Sequence, residues 1–105
     1  MTKKISDYSR LCVHTLTTKP WNLRQCIENY SAAGIHGITI WRNVLEGQNL
    51  KEAGKQLDDS GMVVVSACRG GFFPSRETQK RRAALDDNLK ALEQASAIGA
   101  PLLVL

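Results

Sequence analysis

Three short stretches carry the residue types that can do chemistry, and each stands where an apolar run gives way to polar sequence. His14 closes Leu11-Cys12-Val13-His14, Trp41-Arg42 follows Gly37-Ile38-Thr39-Ile40, and Cys68-Arg69 follows Met62-Val63-Val64-Val65-Ser66-Ala67. An imidazole can exchange a proton near neutral pH or hydrogen-bond a ligand oxygen. An aromatic plate beside a guanidinium can hold a sugar ring together with a phosphate or carboxylate. Gly70-Gly71 frees the backbone for close approach to a ligand, although the G-x-G-x-x-G spacing of a dinucleotide site is missing. His14, Trp41, Arg42, Cys68 and Arg69 are therefore the candidate substrate-binding residues.

Each has an ordinary alternative. A histidine at a strand end can serve as a structural hydrogen-bonding group, and a tryptophan there can be core packing. Neighbouring strand residues face opposite ways, so Trp41 and Arg42 reach one pocket only if the strand ends between them. Glu46 reads as a solvated loop carboxylate, and Phe72-Phe73 as packing on the following helix in preference to a lid. His36 precedes its strand and lies at the opposite end from His14. Three cysteines, Cys12, Cys26 and Cys68, are odd in number and widely spaced, which suits neither a disulfide framework nor a zinc knuckle. We read them as reduced thiols, with Cys12 and Cys26 packing in the core. The acids fall mainly in helices or early loops, so no catalytic residue and no metal ligand is assigned.

The elements that must position these residues alternate in period. Leu23, Cys26, Ile27, Tyr30 and Ala33 form an amphipathic stripe, with Asn22 and Gln25 as a capping box. Gly34 ends that helix. Asn49 with Glu52 repeats the cap signature for a shorter helix through Leu50, Ala53 and Leu57 to Gly61. Ser75 is expected to cap a third helix running to Ile98, with Leu85, Leu89, Leu92 and Ala95 on its buried face and Gly99 closing it. Strands are expected at about 11–14, 38–41, 62–67 and 101–105, with Pro101 tolerated at the start of the last.

The phrases around Gly34, Gly61 and Gly99 repeat one order: helix, glycine, short link, apolar strand. The fold class is α/β, βαβαβαβ with parallel strands. Right-handed crossovers advancing one way put all three helices on one face and leave the other bare, lined by residues such as Val64 and Ile40. A one-sided parallel sheet is stable when it closes on itself or is covered. The expectation is a partial (β/α)₈ barrel, 1–105 being a single, truncated N-terminal half of a fold of about 250 residues.

Composition agrees with a globular segment. The 105 residues are 43% hydrophobic and 23% charged, the net charge is +4, and the mean hydropathy is -0.24. That excludes a disordered tail or a fibre. No apolar run approaches the roughly 20 residues of a membrane helix, and Met1 to Asp7 lacks a secretory signal, so the expected location is cytoplasmic, away from membranes. Lys80-Arg81-Arg82 reads as a solvated helix face.

The segments Ala33-Gly34-Ile35-His36-Gly37-Ile38-Thr39-Ile40-Trp41-Arg42 and Ser60-Gly61-Met62-Val63-Val64-Val65-Ser66-Ala67 resemble strands two and three of the sugar phosphate isomerase/epimerase family, the xylose isomerase-like TIM barrels. The loop from Cys68 to Glu77, the long third helix and Gly99-Ala100-Pro101-Leu102-Leu103-Val104 also suit it. The likeness runs from about Ser9 to Leu105, through motifs that record barrel packing more than chemistry. Where many relatives carry an acid at the end of strand two, this chain has Trp41-Arg42.

The resemblance implies a metal-dependent sugar or sugar-phosphate isomerase or epimerase acting through an enediolate. Its divalent cation, Mn²⁺, Mg²⁺ or Zn²⁺, would be held near strands five to eight, with no ligand in this chain, which by itself would then be inactive. The expected partner is a small sugar or sugar phosphate. A second reading, an endonuclease IV-like phosphodiesterase, draws on the positive charge; few basic residues fall at strand ends, and nucleic acid is disfavoured. A third is a non-catalytic half-barrel that forms a homo-oligomer through its bare face and exposed edges.

Overall fold

The computed structural model describes residues 3–105. Four parallel strands, β1 (Cys12–His14), β2 (Gly37–Trp41), β3 (Val63–Cys68) and β4 (Leu103–Val104), lie side by side in chain order. The connections are α1 (Leu23–Ala32), α2 (Leu50–Ser60) and α3 (Thr78–Ala97), with 3-10 turns at Thr15–Thr18 and Arg42–Leu45. Consecutive order with parallel pairing throughout places the crossover helices on one face.

The caps of α1 and α2 behave as read. Asn22 Oδ1 accepts from the Gln25 N–H while Gln25 Oε1 accepts from the Asn22 N–H, and Asn49 accepts from the Glu52 N–H. At the end of α1 the Ile35 N–H reaches the Tyr30 carbonyl and the Gly34 N–H that of Ser31. This six-to-one and five-to-two pair requires the φ of +79° that Gly34 supplies. α3 ends the same way at Gly99.

Between helices and sheet lies one core. Leu23, Cys26, Ile27 and Tyr30 of α1, Ala53 and Leu57 of α2, and Ala95 with Ile98 at the end of α3 close over Ile38, Ile40 and Ala67. This corrects the expected bare face: Ile40 is fully buried beneath the helices, and Val64 packs against the same cluster.

The helix-free face is the opposite set. Thr39 lies between two helix-facing isoleucines and so points away from them, and its hydroxyl bonds Cys12 Sγ at 3.2 Å and Ser66 Oγ at 3.1 Å. A polar ladder thus crosses three strands where most barrels carry branched aliphatics.

A bulge makes the ladder. Ile38 pairs with Val64 but Thr39 with Ser66, leaving Val65 unpaired. The inserted residue reverses the alternation downstream, bringing Ser66 and Cys68 onto the face of Thr39 and Trp41. Val63 ahead of the bulge and Val65 within it are exposed, so β3 is not covered on both sides along its length.

Three further expectations are corrected. α3 starts at Thr78 behind Glu77, with no side-chain cap. Ser75 instead accepts the Glu77 N–H outside the helix. The buried stripe of α3 is Asn88, Ala91 and Ala95, while Leu85, Leu89 and Leu92 are about half exposed. Small side chains let the helix lie close, and the leucines turn to the flank away from the sheet. The last ladder is shorter than 101–105, because Pro101 has no N–H to pair and lies before Leu103–Val104. No described helix is long and apolar enough to cross a membrane.

Candidate functional site

The C-terminal ends of β1, β2 and β3 come together through side chains that follow the strands. The His14 carbonyl accepts from the Tyr30 hydroxyl at 3.4 Å, and Thr18 bonds the same hydroxyl at 2.6 Å. The fully buried Thr15 accepts the Trp41 N–H at 2.9 Å, tying the end of β1 to that of β2. Across this tie the Trp41 indole N–H donates to His14 Nδ1 at 2.9 Å, with ring centroids 6.2 Å apart. An Nδ1 that accepts leaves the ring proton of a neutral imidazole on Nε2, where His14 offers a donor. Burial in this network pushes the Tyr30 hydroxyl up to about 12, against the Thr18 hydrogen bond, which lowers it.

Arg42 goes elsewhere. Its Nη1 and Nη2 each donate to an Asp87 carboxylate oxygen at 2.9 Å, and Nε donates to Gln94. β2 ends at Trp41 and Arg42 opens the 3-10 turn, so the two side chains part. Trp41 turns to His14 and Arg42 to α3. The paired guanidinium holds the Asp87 carboxyl below the ordinary carboxylate value, and Asp87 raises Arg42 in return.

At β3, burial pushes the Cys68 thiol up, with Arg69 opposing. Gly70 continues the sheet by donating to the Val104 carbonyl at 2.8 Å, and Gly71 is gripped by Asn88 of α3. Arg69 is exposed, stacks 4.5 Å from the Phe72 ring centroid, and makes no ion pair among the described residues. Phe72 is two-thirds exposed, so the expected packing on the helix is not what it does.

These ends border an open cleft of about 800 Å³, with Trp41, Arg42, Cys68, Arg69 and Phe72 on one side and Asp87, Lys90 and Gln94 of α3 on another. Lys19 and Glu46 reach it as well, while His14 stands beside it through Trp41. Four of the five candidates thus border one cleft and the fifth adjoins it. His36 is exposed before β2, at the far end of the sheet.

Sequence reasoning passed over Thr15, Tyr30, Asp87 and Asn88. Asn88 had left a signal, a polar residue in register with Ala84, Ala91 and Ala95 at helical spacing.

A metal fits poorly here. Among the described residues no three of His, Cys, Asp or Glu gather to hold one. No chemical step through a metal can be assigned to these side chains.

Comparison with known proteins follows from the fold. No family profile matches the chain, and no curated protein does. Among solved structures, protein SMc04130 of Sinorhizobium meliloti 1021 matches with a TM-score of 0.85 and 29% identity, over 93% of this chain and 36% of its own. A xylose isomerase domain-containing protein of Salmonella typhimurium LT2 matches with a TM-score of 0.80 and 13% identity, over 98% of this chain and 38% of its own. The fold is that of part of a xylose isomerase-like TIM barrel. A third structure, a xylose isomerase-like TIM barrel/4-hydroxyphenylpyruvate dioxygenase fusion protein, shares it with a TM-score of 0.73 and 19% identity, over 89% of this chain and 15% of its own. The chain thus spans less than two-fifths of the length of these barrel proteins.

Proposed function

We propose that this chain forms the β1–β4 half of the ligand mouth of a sugar or sugar-phosphate isomerase or epimerase. The carrying observation is the gathering of Trp41, Arg69 and the His14 Nε2 donor at the C-terminal ends of parallel strands, where barrel enzymes bind their ligands. In this reading Trp41 offers a face to the sugar ring, His14 donates to a ring or carbonyl oxygen, and Arg69 receives the phosphate or carboxylate. Cys68 contributes a neutral wall, and Arg42 acts through Asp87 to brace the turn after β2.

The divalent cation and the enediolate chemistry that the fold likeness suggests belong, on this proposal, to residues other than those described. The polar ladder on the face that carries no helix, and the span of the barrel relatives, support a half-barrel completed by further strands. A homo-oligomer is a second reading, favoured by the exposed Leu85, Leu89 and Leu92. The phosphodiesterase reading gains nothing from the cleft, where Arg42 is neutralised by Asp87.

Titration of isotopically labelled protein with fructose 6-phosphate tests the mouth. The His14 ring, the Trp41 indole N–H and the Arg69 Nε–H are expected to shift together, and Arg69→Ala to abolish the response. Shifts confined to Lys80, Arg81 and Arg82, or none at millimolar ligand, would overturn the proposal. Gel filtration separates the second reading, which requires a dimer.

A further inference from the structure

We infer that Asn88 is a positioning residue for the anion-receiving arm of the cleft. The inference rests on the proposed ligand mouth and adds a residue that does not itself border it.

Asn88 is buried in the middle of α3, where an amide is otherwise a poor choice. Its Nδ2 donates to the carbonyls of Gly71 and Ala84, both at 2.7 Å, and its Oδ1 accepts the Gly71 N–H at 2.6 Å. Both backbone groups of one loop residue are thus held by one side chain, and carbonyl partners on Nδ2 with an N–H on Oδ1 leave the amide a single orientation.

The latch explains the glycine pair. A Cβ on Gly70 would stand 2.6 Å from Asn88 Oδ1, and Gly71 has a φ of +101°. It also accounts for Phe72, which holds a φ of +63° although it is neither glycine nor asparagine. Bulky residues rarely occupy that region, and they persist there when the surroundings fix them. Here the fixed point is Gly71, one residue before Phe72. The left-handed turn brings the Phe72 ring under Arg69, so the guanidinium stands as a platform-backed cation on the cleft wall. Arg42, the other arginine of the cleft, is matched by Asp87, which leaves Arg69 for an external oxyanion.

The test uses inorganic phosphate as probe and the Arg69 Nε–H resonance as readout, alongside Gly71 amide exchange and thermal unfolding. Asn88→Ala is expected to speed Gly71 exchange and weaken phosphate binding at Arg69 by about tenfold or more, as a misplaced positioning group does. Asn88→Asp keeps one acceptor for the Gly71 N–H and sets carboxylate oxygen against two carbonyls, so it is expected to behave like the alanine variant. Phosphate affinity unchanged in a folded Asn88→Ala variant with a fast-exchanging Gly71 would overturn the inference. Should Asn88→Ala fail to fold, Phe72→Ala tests the arm from its other end, and unchanged affinity there overturns the inference too. A wild type that binds no phosphate while Asn88→Ala still releases Arg69 from the Phe72 ring current counts against the proposed ligand and supports the latch.

Discussion

The indole N–H of Trp41 and the Nδ1 of His14 meet at 2.9 Å across the ends of two neighbouring strands. Trp41→Phe keeps an aromatic plate and removes the donor. The His14 ring is then free to exchange its proton between the two nitrogens, and ¹⁵N shifts are expected to move from a single Nε2–H form toward a mixture. The pair is partly exposed, so the stability cost is expected to be about 1 kcal/mol or less by urea denaturation.

Asp87 gives the fold a dependence on acid. Its carboxyl sits below the ordinary 3.8 because Arg42 hydrogen-bonds it, so its contribution is fully present above that value and fades as pH falls through the lower folded one. Asp87→Asn should therefore be less stable than wild type near neutrality, and the two should converge in acid below the ordinary carboxylate range. With the carboxylate half exposed, the difference is expected to be about 1 kcal/mol or less. A gap that persists unchanged in strong acid would assign the effect to something other than the ion pair.

Tyr30 acts at the alkaline end. With its hydroxyl pushed up to about 12 from 10.0 by burial, the unfolded chain ionises first. The stability it lends is present below pH 10 and is lost as pH rises toward 12. Titration of phenolate absorbance in a Tyr8→Phe background isolates the group. Tyr30→Phe should remove that slope and, by leaving Thr18 without its 2.6 Å partner, cost about 1 kcal/mol at neutral pH.

Gly54 offers a prediction with an unusual sign. Alanine in a helix interior normally exceeds glycine in stability by about 1 kcal/mol. At Gly54 a Cβ would collide with the Ala97 carbonyl where α2 and α3 cross. Gly54→Ala is therefore expected to destabilise by about 1–3 kcal/mol through overpacking, read as a lowered unfolding midpoint.

Much of the architecture was legible in the chain because it rests on local rules. Asn22 with Gln25, and glycine after each helix, are decided within a few residues, and strand order follows from the short links between elements. The facing of β3 was not legible. A bulge at Val65 is set by pairing with β2, and without it Ser66 and Cys68 would point toward the helices. The stripe on α3 was misread for a related reason, since leucine outweighs alanine in any hydrophobic pattern while close packing on the sheet favours alanine. Candidate residues at strand ends were found from position alone. What holds them was hidden, because Asp87 and Asn88 meet Arg42 and Gly71 across long stretches of chain.

The side-by-side order of the strands also governs how the molecule opens. β2 pairs with β1 over three residues and with β3 over five, whereas β4 pairs with β3 over only two. Local opening free energies follow such coverage, so amide exchange should be slowest in β2 and fastest at β4. The wall that Gly70 shares with Val104 would then breathe before the wall that Thr15 shares with Trp41, and the mouth would loosen from one side.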